Sequence, residues 1–175
     1  MHSLARRISD LPPSCGPVRL VAVDGPAGAG KTTFAARLGA SLGAQVVGSD
    51  EFPVPWEGGP GGWFGALREQ VIVPLSQGRP GGFARYDWVL GEFAEHVEVP
   101  VAPVVLIEGV GTARRDVDRL LSFRIWLDAP HDLRRERVLR RDGAGLEERW
   151  TAWFAAEREW FAADGTRERA DLVIA

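Results

Sequence analysis

Gly25-Pro26-Ala27-Gly28-Ala29-Gly30-Lys31-Thr32 fits the pattern G-x-x-x-x-G-K-[ST] in full, a spacing whose chemistry is the holding of a polyphosphate. Small side chains let successive backbone N–H groups turn inward as an anion nest. A helix opening at Lys31 adds its unpaired N–H donors and the positive end of its dipole. In such a loop the lysine reaches the β- and γ-phosphates and the hydroxyl after it ligates Mg²⁺, which are the tasks expected of Lys31 and Thr32. Gly25, Ala27, Gly28, Ala29, Gly30 and Thr33 complete the expected nucleotide-binding set. Lys31 is also the only lysine among 21 basic residues. A compact, flexible ammonium between phosphates is not easily replaced by a planar guanidinium. The motif predicts binding of ATP with Mg²⁺; it does not say which reaction follows.

Three apolar runs finish in or deliver an acid: Val18–Asp24 ends at Asp24, Ala44–Ser49 delivers Asp50, and V-V-L-I ends at Glu108. Ligands of a parallel sheet sit beyond the carboxyl ends of its strands. Glu108 therefore reads as the acid that supports Mg²⁺, directly or through a water, and it borders the acceptor side. Asp50 reads as the general base that receives the proton of an attacking hydroxyl, with its neighbour Glu51 as the alternative. Asp24 reads as a local hydrogen-bonding acid. Acids at strand ends also serve as plain turn caps.

Arg134, Arg135, Arg137, Arg140 and Arg141 crowd about two helical turns, and Arg134, Arg137 and Arg141 share a face at i, i+3, i+7. A charge run of this kind is often only a solvated face. In a phosphate-loop enzyme, guanidinium groups here stabilise charge on the transferring phosphoryl group, so Arg137 and Arg141 join the catalytic candidates, with Arg140 beside them. Trp150, Trp153, Phe154 and Phe161 form a stripe expected to be core. Trp56, Trp63 and Trp88 fall in irregular or hairpin sequence, where aromatics either stack on a flat ring or pack beneath a loop.

These groups need strands to aim them. The spacing predicts strands over Val18–Asp24, Ala44–Ser49, Val104–Ile107, Phe123–Leu127 and Leu172–Ala175. Helices are expected over Lys31–Leu42, Trp63–Ser76, Thr112–Leu121, from Asp128-Ala-Pro130 to about Arg141, and over Gly145–Asp164. Asp128 is expected as an N-cap with proline in the first turn. Pro53–Gly62 must be irregular, and short apolar runs around Gly91 suggest a small β-excursion within Phe83–Val101. The alternation gives an α/β fold of the P-loop NTPase kind: a parallel five-stranded sheet with helices on both faces, a small β-excursion and a lid. An N-terminal extension over 1–17 precedes one domain over 18–175.

Composition narrows the rest. At 175 residues, one domain with one core suffices. A net charge of -3 argues against a nucleic-acid-coating surface. No apolar stretch reaches membrane-spanning length, and the first 17 residues lack the apolar segment of a secretory signal. A single cysteine, Cys15, excludes an internal disulfide and a cysteine-based zinc cluster. The expected location is the cytoplasm, the expected partner a small-molecule acceptor, and self-association stays open. His2, His96 and His131 have no metal spacing.

The ordered set G-P-A-G-A-G-K-T-T, S-D-E-F (Ser49–Phe52), R-Y-D-W (Arg85–Trp88), L-I-E-G (Leu106–Gly109), R-V-L-R-R-D (Arg137–Asp142) and R-A-D-L-V-I (Arg169–Ile174) resembles the uridine kinase family, from about Val18 onward. The resemblance implies a kinase with Asp50 as base. It also implies Tyr86 on a hairpin that contacts the nucleoside, and a lid helix around Arg137, Arg140 and Arg141. The family's acceptor segment D-H-P-x-A-F-D is missing, and Trp56–Trp63 stands in its place. The histidine expected after the hairpin motif is replaced by Gly91, and the E-R-G-R lid continuation by Asp142-Gly143-Ala144-Gly145. The implied activity is transfer of the ATP γ-phosphate to a small-molecule hydroxyl, with a nucleoside the first acceptor and Asp50, Trp63, Tyr86 and Glu108 bounding its site. The alternatives are a cytidylate-type monophosphate kinase, suggested by V-A-V-D-G-P-A-G-A-G-K but not by Ser49–Phe52, or a kinase of another metabolite or antibiotic. From another class, a nucleotide-binding regulator with little kinase activity remains.

Overall fold

The computed structural model describes residues 1–53 and 58–175. Trp56, named above, and part of the Pro53–Gly62 stretch lie outside the described residues. The chain runs α1 (His2–Ser9), β1 (Arg19–Asp24), α2 (Lys31–Leu42), β2 (Gln45–Gly48), a 3₁₀ turn (Ser49–Glu51), then α3 (Phe64–Leu67) and α4 (Val73–Ser76) joined by a π-helical segment (Arg68–Ile72). It continues through β3 (Gly81–Asp87), β4 (Glu92–Val99), β5 (Val104–Glu108), 3₁₀ turns (Arg115–Leu120) and β6 (Phe123–Leu127). It closes with α5 (His131–Asp142), a 3₁₀ turn (Ala144–Leu146), α6 (Glu147–Asp164) and β7 (Leu172–Ile174).

Five strands pair in the order β2-β5-β1-β6-β7, all parallel. The antiparallel hairpin β3–β4 is a separate two-stranded excursion. This is a P-loop α/β sheet with flanking helices. Continuous apolar strands follow from the two-sided burial. Leu20 and Ala22 of β1 join Val105 and Ile107 against Phe64, Leu67, Val71, Ile72 and Leu75 on one face. Val21 and Val23 join Leu106 and Ile125 against Ala35 and Leu38 of α2 on the other. Each fully buried Leu, Ile or Val contributes about 1.5–3 kcal/mol, so the two faces are the main source of stability.

Residues 1–17, expected only as an N-terminal extension, contain α1. Its Ala5 and Ile8 are buried in the α2 face of the core. The π-helical segment precedes Pro74, whose missing N–H cannot extend an α-helical ladder, and the wider turn absorbs the break.

Two expectations are corrected. The helix expected over Thr112–Leu121 is only the 3₁₀ turns of Arg115–Leu120. The Thr112 hydroxyl is tied to the backbone oxygens of Val23 and Gly109, which holds the start of the segment against the end of β1 instead of in a helical turn. The N-cap of α5 is Pro130, not Asp128; the Asp128 carboxylate instead accepts the N–H of Ala129. No helix of the described residues is long and apolar enough to cross a membrane.

Strand register sets the site. Glu108 lies beside Val23 of β1 and Gly48 of β2, so three strand ends converge on one edge of the sheet.

Candidate active site

The loop between β1 and α2 is shaped by its glycines. Gly25 has φ 137°, and a Cβ there would meet the Leu127 carbonyl oxygen at 2.1 Å. Gly28 has φ 77°, and its Cβ would meet the Arg134 carbonyl oxygen at 2.7 Å. Any other residue at either position would push β6 or α5 away, so the loop is wedged against both. Asp24 anchors the base of the loop. Its Oδ1 accepts the N–H groups of Gly25 at 2.7 Å and Gly111 at 2.9 Å, and its Oδ2 that of Ala113 at 2.8 Å. Complete burial pushes its pKa to about 6 against these bonds.

Lys31 opens α2 as a buried side chain, with its ammonium donating to the Pro26 carbonyl at 3.1 Å. Burial lowers its pKa, while Glu108, Asp24, Glu157 and Asp50 work in the opposite direction. Thr32 donates its hydroxyl hydrogen to Glu108 Oε1 at 3.0 Å. Glu108 is 4% exposed; burial raises its pKa, opposed by Lys31 and the Thr32 hydroxyl. Thr33 is exposed on the first turn of α2.

Two oxygen donors three ångströms apart fit Mg²⁺, which takes one or two protein oxygens and fills its remaining positions with water and phosphate. Among the described residues no group of three or more His, Cys, Asp or Glu forms a protein cage for a metal. Thr32 and Glu108 suit a cation brought in with the nucleotide.

The two acids of the β2 end diverge. Glu51 folds back so that its carboxylate accepts the Gly48 N–H at 2.8 Å, and burial raises its pKa. Asp50 keeps its carboxylate exposed, within electrostatic reach of Lys31 and Glu108. The hairpin leans on this turn, because the Trp88 indole N–H donates to the Asp50 backbone oxygen. Tyr86, half-buried, packs edge-on to Trp88 and Phe93 with centroids 5.0 and 5.5 Å away.

Trp63 is a core residue. It is 5% exposed, its indole N–H is taken by the carbonyls of Pro60 and Val110, and its ring meets those of Phe52 and Phe64. Of the helical arginines, Arg137 donates to the Gly28 carbonyl at 3.0 Å. Arg141 pairs with Asp142, lies over the Trp150 ring at 5.8 Å and feels the charge of Asp50. Arg140 is spent on Glu136 and Arg135 on Glu147.

One acid of the site was not singled out in the sequence. Glu157 of α6, 2% exposed, accepts the Ala27 N–H at 2.7 Å and pairs with Arg134 at 3.0 Å. The signal for it is a carboxylate in an otherwise aromatic stripe: Trp150, Phe154, Glu157 and Phe161 recur at helical spacing.

No family model matches the chain, and no curated protein matches it. Solved structures do resemble it in fold. A protein described as a possible uridine kinase from Bacillus stearothermophilus superposes with a TM-score of 0.72 at 20% identity, over 99% of this chain and 96% of that one. A protein provisionally described as a fructose transport system kinase from a Silicibacter species gives 0.74 at 22% identity, over 99% and 98%. Shikimate kinase from Acinetobacter baumannii, in complex with shikimate, gives 0.51 at 20% identity, over 98% and 87%. At these identities the likeness is one of fold.

Proposed function

We propose that the chain is an ATP- and Mg²⁺-dependent phosphotransferase that moves the γ-phosphoryl group to a hydroxyl of a small molecule, with a nucleoside as the first acceptor to test. The observation that carries the reading is the grouping of Lys31 and the Thr32–Glu108 pair at the phosphate loop, with the exposed carboxylate of Asp50 nearby.

In this mechanism the loop amides and Lys31 hold the phosphates, and Thr32 and Glu108 would hold the cation. Bound Mg²⁺ would neutralise charge on the phosphate oxygens. Asp50 accepts the proton of the acceptor hydroxyl as that oxygen bonds to the γ-phosphorus and the bond to the bridging oxygen of ADP breaks. Lys31, Arg137 and Arg141 meet the charge on the transferring group. Glu51, bound to Gly48 N–H, is less free to act as the base. The rings of Tyr86, Trp88 and Phe93 border the Asp50 turn and suit a flat acceptor ring. That is the support for a uridine kinase-like choice over a sugar. The kinases named in the comparisons act on different alcohols by name, which supports the reaction class more than any one acceptor.

The test is an ADP-release screen with the purified chain against nucleosides, nucleoside monophosphates, sugars and other small alcohols. Acceptor-stimulated release that disappears in Lys31→Met is the expected result. Slow release insensitive to every acceptor would instead favour a nucleotide-binding regulator.

A further inference from the structure

The phosphate loop is gripped from behind at a single residue. Both polar backbone groups of Ala27 are engaged: its N–H by Glu157 Oε2 at 2.7 Å, its carbonyl by Arg134 Nη1 at 3.3 Å. Arg134 and Glu157 close the ring with a contact of 3.0 Å. Arg134 also donates to the Ala129 carbonyl at 3.2 Å, and Trp153 donates to Glu157 Oε2 at 3.3 Å. The next carbonyl, that of Gly28, is taken by Arg137. The Arg134 backbone leaves no room for a Cβ on Gly28. Two helices distant in sequence therefore fix the peptide from which the anion-binding amides follow.

We propose that Arg134 and Glu157 are positioning residues for the phosphate loop, holding the Ala27 peptide so that the amides that follow face the polyphosphate. Both act through Ala27, whose N–H and carbonyl they hold. The physical need is clear. Several N–H dipoles aimed at one point repel each other when no anion is present, so an unbraced nest relaxes and must be rebuilt at each binding event. A brace lowers that cost and appears as affinity. A buried ion pair is a poor source of net stability, which makes its retention beneath an aromatic stripe more understandable as placement than as glue. The inference rests on the reading of this loop as the ATP site.

The experiment uses the full chain and compares Glu157→Gln with the double variant Arg134→Met, Glu157→Met. Removing both charges avoids a stranded buried ion, so the double variant keeps its unfolding temperature close to that of the wild type. Dissociation constants for Mg·ATP are measured well below that temperature, alongside hydrogen exchange of the Ala27 amide without nucleotide. Expected are Mg·ATP binding weakened about tenfold and faster Ala27 exchange in the double variant. Glu157→Gln, whose amide oxygen can still accept the Ala27 N–H but whose NH₂ group then faces the Arg134 guanidinium, gives a smaller but measurable loss of affinity and a smaller rise in exchange. Wild-type affinity together with wild-type exchange in the double variant overturns the proposal. Should the double variant not fold, Glu157→Gln decides: unchanged exchange and unchanged affinity count against the brace, and faster exchange with weaker binding supports it. If the wild type binds no Mg·ATP at all, the kinase reading itself falls, whereas normal wild-type binding with indifferent variants removes only the brace.

Discussion

Thr32 and Glu108 meet across 3.0 Å, joining the first turn of α2 to the last residue of β5. A hydroxyl and a buried carboxylate so close together offer two of the roughly six oxygen positions that Mg²⁺ takes. The adjacent Lys31 supplies the positive charge that makes the buried carboxylate tolerable.

Glu108→Gln keeps the shape and the bond to Thr32 but removes the charge. The Mg²⁺ concentration for half-maximal turnover should rise about 10–100-fold, the range for losing a metal-supporting group, while binding of metal-free ATP stays nearly unchanged. Titrating Mg²⁺ at fixed ATP reads this directly. An unaltered Mg²⁺ dependence would remove Glu108 from the cation site.

Gly28 and Gly30 separate crowding from backbone strain. Both have positive φ, 77° and 96°, but a Cβ on Gly30 meets nothing within 4 Å whereas one on Gly28 strikes α5. Gly30→Ala should cost about 1–2 kcal/mol from strain alone. Gly28→Ala should cost about 2–4 kcal/mol, because overpacking adds to strain. Urea unfolding of the two variants compares them, and equal losses would mean that α5 yields easily.

The sheet was legible because a parallel strand buried on both faces must be apolar throughout, as Leu20–Val23 and Val104–Ile107 are. The phosphate loop was legible because its spacing is set by local backbone geometry. What sequence could not give was contact made over long separations. Trp63 occurs in Gly-rich sequence typical of a surface loop, yet two carbonyls from different segments take its N–H and draw it into the core. Glu157 reaches Ala27 across 130 residues. The 112–121 segment has helical periodicity, but Thr112 is committed to the end of β1, and tertiary bonds override propensity there.

Asp50 and Glu51 are adjacent and chemically alike, and their hydrogen bonds and burial separate them. Asp50→Asn should lower turnover by about 10²–10⁴, the usual share of a general base, with Mg·ATP affinity little changed. Glu51→Gln, still able to accept the Gly48 N–H, should lower turnover by much less. Single-turnover kinetics with any acceptor found by the screen distinguishes the two. The reverse ranking would move the base to Glu51 and require that its bond to Gly48 break before reaction.

Asp24 should leave its mark on the pH dependence of stability. Its pKa rises on folding from 3.8 to about 6, chiefly through burial. Between these values the native state holds a proton that the unfolded chain has already lost. Stability therefore falls as pH rises through that window and levels off above it. The full span is on the order of 3 kcal/mol. Glu51, Glu108 and Glu157 shift in the same direction, so the contribution of Asp24 is read as a difference. Asp24→Asn retains an acceptor for Gly25 and Gly111 at the Oδ1 position but presents an NH₂ group to the Ala113 N–H that Oδ2 accepts. That mismatch offsets the variant by a constant amount and does not titrate. Urea unfolding of both proteins at several pH values from 4 to 7 should show the wild type losing stability relative to the variant up to about pH 6, then running parallel to it. Parallel curves over the whole range would mean that the buried carboxylate stays ionised, held by its three N–H donors and Lys31 against the cost of burial.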